Sequence, residues 1–309
     1  MSFDLRDFNG YMYPTFSWCK GETNGIEDCS KTISEYVESL VPKLFEKDKD
    51  FKPERYDIVR TKNIIDDNYF IGRIIGLPGE EIEFKNGYVY INGAILDEPY
   101  LYIKGSTYGD GNLSSCQKLK IGNNQVFVMG DNRLVSSYFD SRNKLGLVAI
   151  ENITHYLPFD LQLNLFKKRW NNFGGKNLNL TDEDRNQEVF NEKLVKKINE
   201  YREQKKLDKV TVDNNLIKLA EIKAKKYLDK KIDDLDVDYF NSILSGLAKN
   251  HEIFYLIKEG FYNIDDYFDY LRTSNFIQKK TKFIGVALKE KENKDCNNKV
   301  IVIIISEIK

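Results

Sequence analysis

Two periodicities divide the chain. From about residue 55 to 158, short β-prone stretches are punctuated by glycine, as in Tyr56-Asp-Ile-Val-Arg60, Tyr88-Val-Tyr-Ile91 and Val126-Phe-Val-Met129. Asn86-Gly87 and Asn92-Gly93 separate two of these runs. Both dipeptides tolerate the positive φ values of a two-residue hairpin turn, so this half is expected to be mostly β. From about residue 184 the spacing becomes helical. Phe190, Leu194, Ile198 and Tyr201 recur on one helix face, and Leu216, Leu219, Ala220, Ala224 and Tyr227 repeat the pattern behind Asp213, an expected N-cap. Phe283 to Leu288 and Lys299 to Ser306 predict a terminal strand pair, which makes the second half α+β.

Between the halves, Lys167 to Leu180 is polar and asparagine-rich and contains Gly174-Gly175. A linker is expected there, over 161–183, between a domain of residues 1–160 and a domain of residues 184–309. Inside the first half, Ile33, Tyr36, Val37, Leu40, Val41, Leu44 and Phe45 follow helical spacing. They predict an amphipathic helix over 31–46, with Pro42 as a point of kinking. Its apolar stripe suits packing on the domain's own β core; a lid over a partner is the alternative.

Composition narrows the function classes. The 309 residues suffice for two ordinary domains, and 41% hydrophobic with 13% aromatic residues supply apolar cores. Charged residues make up 31% with a net charge of -1, so the basic excess of a nucleic-acid-binding surface is missing. Cys19, Cys29, Cys116 and Cys296 form no C-x-x-C pair, and with only His155 and His251 beside them no zinc ligand set emerges. No cofactor is implied. Cys19 and Cys29 are near enough for a loop-closing disulfide, with free thiols as the alternative. No apolar run approaches the roughly 20 residues of a membrane span. The longest, Val300 to Ile305, reads as a buried strand, and Met1 to Asp7 do not form a signal peptide.

Four stretches carry a resemblance. Gly10-Tyr-Met-Tyr-Pro-Thr15 resembles the nucleophile box of type I signal peptidases (the S26 family), ordinarily Gly-Ser-Met-x-Pro-Thr. Tyr56-Asp-Ile-Val59 resembles the strand that follows. Gly72-Arg-Ile-Ile-Gly-Leu-Pro-Gly-Glu80 resembles the lysine box, ordinarily Lys-Arg-x-x-Gly-Leu-Pro-Gly-Asp, and continues through Tyr90-Ile-Asn-Gly93 and Asp97-Glu-Pro-Tyr100. Phe127-Val-Met-Gly-Asp-Asn-Arg133 and Asp140-Ser-Arg142 resemble the last box. The likeness covers residues 8–158 and implies a mainly β domain. In that family a serine attacks the scissile carbonyl while a lysine, kept neutral by burial, takes its proton.

Residue by residue, Tyr11 stands at the serine position and Gly72 at the lysine position. Glycine offers no base, and a phenol of pKa about 10 on a bulky ring is a poor replacement nucleophile. Ser17, Lys62 and Lys85 are the remaining sources of a rescued dyad. The resemblance assigns Asp131, Arg133, Asp140 and Arg142 a structural part, and it aligns Ser136, with Ser137 an equal choice, to a serine that orients the lysine. Tyr11, Met12, Gly72, Arg73 and Ser136 are expected to line or border the surface equivalent to the peptide groove. Residues 17–52, with the predicted helix, form an insertion next to the altered box. The resemblance also implies a transmembrane helix before residue 1, and a location on the extracytoplasmic side of the membrane or the cell surface.

The second half weakly resembles the CAP superfamily, an α-β-α sandwich, through Lys197-Ile-Asn-Glu-Tyr-Arg202, Leu207 to Asp229 and Phe283-Ile-Gly-Val286. That family's cavity uses two histidines and two acids. Here only His251, beside Glu252, is available, so the cavity is expected to be degenerate. Dyad-less signal-peptidase-like proteins accompany sortase-assembled pili of Gram-positive bacteria, and this chain is similar to them. The implied function is that of a non-catalytic accessory or chaperone protein that binds pilin subunits, sortase or another extended peptide. The alternatives are a peptidase with an unconventional dyad and a surface adhesion or binding module.

Overall fold

The computed structural model describes residues 12, 15, 22–23, 26–27, 44–62, 69–136, 139–177, 184, 186–229, 251–260, 263–273, 277, 281–291, 296 and 298–308. The chain divides into two compact units, Met1–Asn177 and Leu178–Lys309.

Unit one is a β structure. Its described strands are β1 (Glu22–Thr23), β2 (Ile26–Glu27), β3 (Phe45–Glu46), β4 (Ile58–Lys62), β5 (Tyr69–Gly76), β6 (Glu81–Lys85), β7 (Tyr88–Ile91), β8 (Ala94–Ile95), β9 (Ile103–Lys104), β10 (Lys118–Lys120), β11 (Gln125–Met129), β12 (Val148–Ala149), β13 (Ile153–Leu157) and β14 (Lys176–Asn177). Helices α1 (Arg133–Ser136) and α2 (Phe159–Phe173) join them. Six strands pair in the order β12-β11-β5-β4-β13-β3, and four more in the order β10-β6-β7-β8. The two Asn-Gly turns close the β6–β7 and β7–β8 hairpins, with φ of 52° and 86° at Asn86 and Gly87 and 51° and 83° at Asn92 and Gly93. Positive φ at both turn residues matches the right-handed twist of the flanking strands.

The six-stranded sheet is apolar on both faces because successive side chains alternate. Val59, Phe70, Ile74, Val126 and Val128 form one cluster. Ile58, Ile75, Phe127 and Met129 join the other, which also takes Met12, Tyr100, Phe166 and Trp170.

The segment expected to be a linker is instead largely α2. Phe166 and Trp170 are buried in the core, and Phe159 and Leu163 pack against it, so the apolar residues recur at helical spacing. The polar residues that suggested a linker occupy the helix's outer face and its end. Beyond it, β14 pairs in parallel with β9, which places residues up to Asn177 in unit one.

The predicted helix at 31–46 lies outside the described residues up to residue 43. Its last positions are strand: Phe45 and Glu46 form β3 and pair with Tyr156 and His155. Cys116 and Cys296 each take part in a disulfide, and Cys19 and Cys29 lie outside the described residues.

Unit two is α+β, built from α3 (Gln187–Gln204), β15 (Thr211–Val212), α4 (Asn214–Leu228), β16 (His251–Glu259), α5 (Ile264–Thr273), β17 (Thr281–Lys291) and β18 (Asn298–Ile308). Strand order is β15-β17-β18-β16. Asn186 caps α3 through its side-chain oxygen, which accepts from the backbone N–H of Glu188 and Val189. Asp213 caps α4 in the same way, accepting from Asn215 and Leu216. On α3 the buried stripe is Phe190, Leu194, Ile198 and Arg202; Tyr201, expected on that stripe, is only half-buried.

Leu216, Leu219, Ala220 and Ala224 of α4 pack on Ala287, Val300, Val302 and Ile304. Gly285 admits this approach, since a Cβ there would lie 2.2 Å from the Leu216 carbonyl carbon. Ile301, Ile303 and Ile305 point to the other face and are equally buried. The terminal strand pair expected from sequence is present and longer at both ends, and β16, which holds His251 and Glu252, completes the sheet.

Candidate functional site

The site is organised by a buried arginine. Arg73 sits on β5 opposite Ile58 of β4 and Met129 of β11, with no solvent exposure. Its guanidinium makes a fork with Asp131, Nε to Oδ1 at 2.8 Å and Nη2 to Oδ2 at 2.7 Å. Nη1 donates to the Tyr56 carbonyl at 2.8 Å and to Gln162 of α2, and Nη2 also reaches the Thr15 hydroxyl at 3.3 Å. Every donor of the planar group has an acceptor, the condition under which a charge survives burial. The ring of Tyr100 lies 3.8 Å below the cation.

Thr15, the last residue of the first box, is buried at the same place. Its hydroxyl donates to Asp131 and accepts from the Trp170 indole N–H at 2.8 Å. Met12 is 1% exposed and belongs to the core. Of the first box, Met12 and Thr15 are described, while Tyr11 lies outside the described residues. Ser17 and Ser137 also lie outside them.

Two further ion pairs extend the interior network. Arg133 binds Glu98 at 2.6 Å, the Gly130 carbonyl at 2.8 Å and the Thr107 hydroxyl at 3.2 Å. Glu98 also accepts from the Tyr100 hydroxyl at 2.9 Å. Burial is the largest single influence on Arg133 and disfavours its cation, but the charge and hydrogen bond of Glu98, with Tyr100 and Asp131, together outweigh it and raise the pKa; burial, reinforced by Glu98, holds the Tyr100 phenol well above its ordinary value. Arg142 pairs with Asp140 at 2.7 Å, and its Nη2 donates to the Ser136 hydroxyl at 2.9 Å.

Met12, Arg73 and Ser136 were expected to line or border an accessible groove. The structure buries all three, and the two polar ones are committed to partners inside the fold. Met12 is buried as part of the apolar core, whereas Arg73, and Arg142 beside Ser136, are each paired within the protein, where exposing the cation would leave a buried carboxylate alone.

Gly72 faces the opposite side of the sheet, opposite Val59. A Cβ at this position would lie 2.5 Å from the Phe70 ring, 2.8 Å from the Val128 side chain and 3.0 Å from the Met129 carbonyl oxygen. The volume a side chain would leave through is filled by Phe70 and Val128. Of the alternative bases, Lys62 pairs with Tyr69, three residues along the strand from the Val59–Gly72 pair. That is about 10 Å at strand rise. Lys85 is on the other sheet, its amine 5.7 Å from the Tyr90 ring.

Among the described residues no cluster of His, Cys, Asp and Glu could hold a metal ion, and no helix is long and apolar enough to cross a membrane. Several network residues carried only partial signals in the sequence. Glu98 and Tyr100 lie in a quoted motif without a role attached to them. Thr15 closes the first box. Gln162 and Trp170 stand in the segment expected to be a linker.

Residues 24–157 match the family model described as signal peptidase, peptidase S26. Signal peptidase I P of Bacillus subtilis subsp. natto is 34% identical over 143 residues, 40% of this chain and 75% of that protein. The chain belongs to the S26 signal peptidase family.

Signal peptidase I S of Bacillus subtilis (strain 168) is 43% identical over 104 residues, 32% of this chain and 54% of that protein. The S26 part thus spans about half the length of several of these relatives. A solved signal peptidase I from Enterococcus faecalis V583 aligns at 29% identity over 35% of this chain and 98% of that one, with a TM-score of 0.28. Residues 195–304, in unit two, match the CAP model, described as the cysteine-rich secretory protein family. The chain therefore joins a mainly β S26 unit to a CAP-like α+β unit.

Proposed function

We propose that the S26 unit is a non-catalytic peptide-binding module, and that the chain is an accessory or chaperone protein in the assembly of sortase-linked pili. The observation that carries the first part is Gly72. At the position where active relatives place the general base, this chain has no side chain, and Phe70 and Val128 fill the space such a chain would need. A nucleophile gains nothing from a base it cannot reach. Lys62 and Lys85 lie elsewhere on the sheets, and the sequence places Tyr11, not serine, in the first box.

The motifs around the altered positions are nonetheless built into a closed network of buried ion pairs, so the fold is kept while the dyad positions differ. A sheet of this kind recognises an extended segment through main-chain hydrogen bonds, which need neither serine nor lysine. The pilus role, with pilin subunits or sortase as partners, rests on the resemblance to dyad-less members encoded with pili. The presence of Cys116 and of Cys296 in disulfides supports an extracytoplasmic location.

Two experiments test these two parts. Incubation of the purified chain with a signal-peptide substrate is expected to give no cleavage product. Deletion of the gene is expected to shorten or abolish the high-molecular-weight pilin ladder on a denaturing gel, and an unchanged ladder would remove the pilus role.

A further inference from the structure

Unit two contains a basic pocket that the packing of its helices and sheet does not require. It has a volume of about 630 Å³ and lies where the end of α3, the following loop and the start of β17 meet; Arg202, Lys206, Asp208, Lys209, Thr281 and Lys282 are in its wall. Four of these six side chains are cationic and one is anionic.

Arg202 forms the fixed part of that wall. It is 1% exposed, and its guanidinium donates to the carbonyls of Asp208 at 2.6 Å, Ile277 at 2.8 Å and Thr281 at 3.2 Å. Those bonds hold the positive group in place through main-chain dipoles. Thr281 is 4% exposed, and its hydroxyl has no hydrogen-bond partner in the protein. A buried hydroxyl without a partner carries a desolvation cost, and such groups in native folds call for a ligand or a mechanism.

The simpler account is that cations gather at the C-terminal end of α3 because the helix dipole favours them. It covers Arg202 and Lys206. It does not cover Lys282, which comes from β17, or the unpartnered hydroxyl beside it. Lys209 is 3.2 Å from Glu203, so part of its charge is met within the protein. Lys206 and Lys282 are exposed at the rim.

We propose that this pocket binds a small ligand through an oxyanion group, a carboxylate or a phosphate. The Thr281 hydroxyl supplies a neutral donor, Arg202 a fixed positive wall, and Lys206 and Lys282 the mobile charges that close over the anion. The volume suits a ligand larger than a bare ion. This site is independent of the S26 unit and of the reading proposed for it.

Calorimetric titration of the full chain with inorganic phosphate, and separately with citrate, at constant ionic strength held by sodium chloride, tests the proposal. One saturable site is expected for at least one probe, and the tighter probe identifies the oxyanion class. Thr281→Val should weaken that probe at least fivefold while leaving the anion-free melting temperature unchanged or raised, because the lost hydroxyl had no partner. Lys206→Glu with Lys282→Glu should abolish binding. The proposal is overturned by the absence of saturable binding to either probe, by wild-type affinity in the lysine pair variant, or by a lowered melting temperature in Thr281→Val.

Discussion

Asp57 shows how one residue of the S26 unit couples the sheet to the helix behind it. It is 3% exposed and accepts from the backbone N–H of Glu54 and of Phe159, the first residue of α2, each at 3.2 Å. Burial pushes its carboxyl up to about 6, against those two hydrogen bonds and the attraction of Arg73. The folded state therefore holds this proton more tightly than the unfolded chain. Its stabilising effect is complete below the unfolded pKa of about 4 and is lost as pH rises through about 6. Relative to Asp57→Asn, the parent protein should lose up to roughly 3 kcal/mol between pH 4 and pH 7. Urea unfolding followed by tryptophan fluorescence reports on this unit, because both tryptophans, Trp18 and Trp170, belong to it. Parallel pH profiles for the two proteins would contradict the assignment. At Thr15 the stakes are higher. Thr15→Val removes one donor and leaves Asp131 and the Trp170 indole each short of a partner. A loss of about 2–4 kcal/mol is expected from two such buried groups, and a change below 0.5 kcal/mol would show that the hydroxyl is dispensable.

Among the elements, α2 departs most from what the sequence conveys. Its polar residues, read along the chain, have the composition of a linker; only the recurrence of Phe159, Leu163, Phe166 and Trp170 shows a buried face, and that face starts before the polar stretch. A chain ending at residue 160 lacks Phe166 and Trp170, whereas one ending at 177 keeps them. The shorter form should be less stable by several kcal/mol, since truncating one large buried aromatic alone costs about 3–5 kcal/mol. Equal urea midpoints for the two forms would refute the role given to α2. Other elements were legible for definite physical reasons. The Asn-Gly turns announce their hairpins because few residues other than Asn and Gly accept two consecutive positive φ values. Asp213 announces α4 because its side chain competes for backbone donors outside a helix and satisfies them at its start. The interior network was only half legible. Arg73, Asp131, Arg133, Asp140 and Arg142 stand in motifs, but which cation meets which carboxylate depends on long-range pairing: Arg73 with Asp131 and Arg133 with Glu98, not neighbours in the chain. For the same reason the accessibility of Met12, Arg73 and Ser136 could not be read from their place in a motif.

On the scale of the whole molecule, the chain joins two units with separate cores, one of the S26 family and one CAP-like. Under the function proposed for the first, the S26 architecture is retained while the machinery of hydrolysis is not. Gly72 makes this testable in both directions. A lysine there would have to displace Phe70 and Val128, so Gly72→Lys with Tyr11→Ser should lower stability by about 1–3 kcal/mol through overpacking. Adding Phe70→Ala should relieve part of that loss, which thermal unfolding would show. The most direct measurement is mass spectrometry of a signal-peptide substrate incubated with the unaltered chain. The expected result is an intact substrate after prolonged incubation at high protein concentration. Cleavage at a single bond, abolished by one substitution in this chain, would contradict the claim.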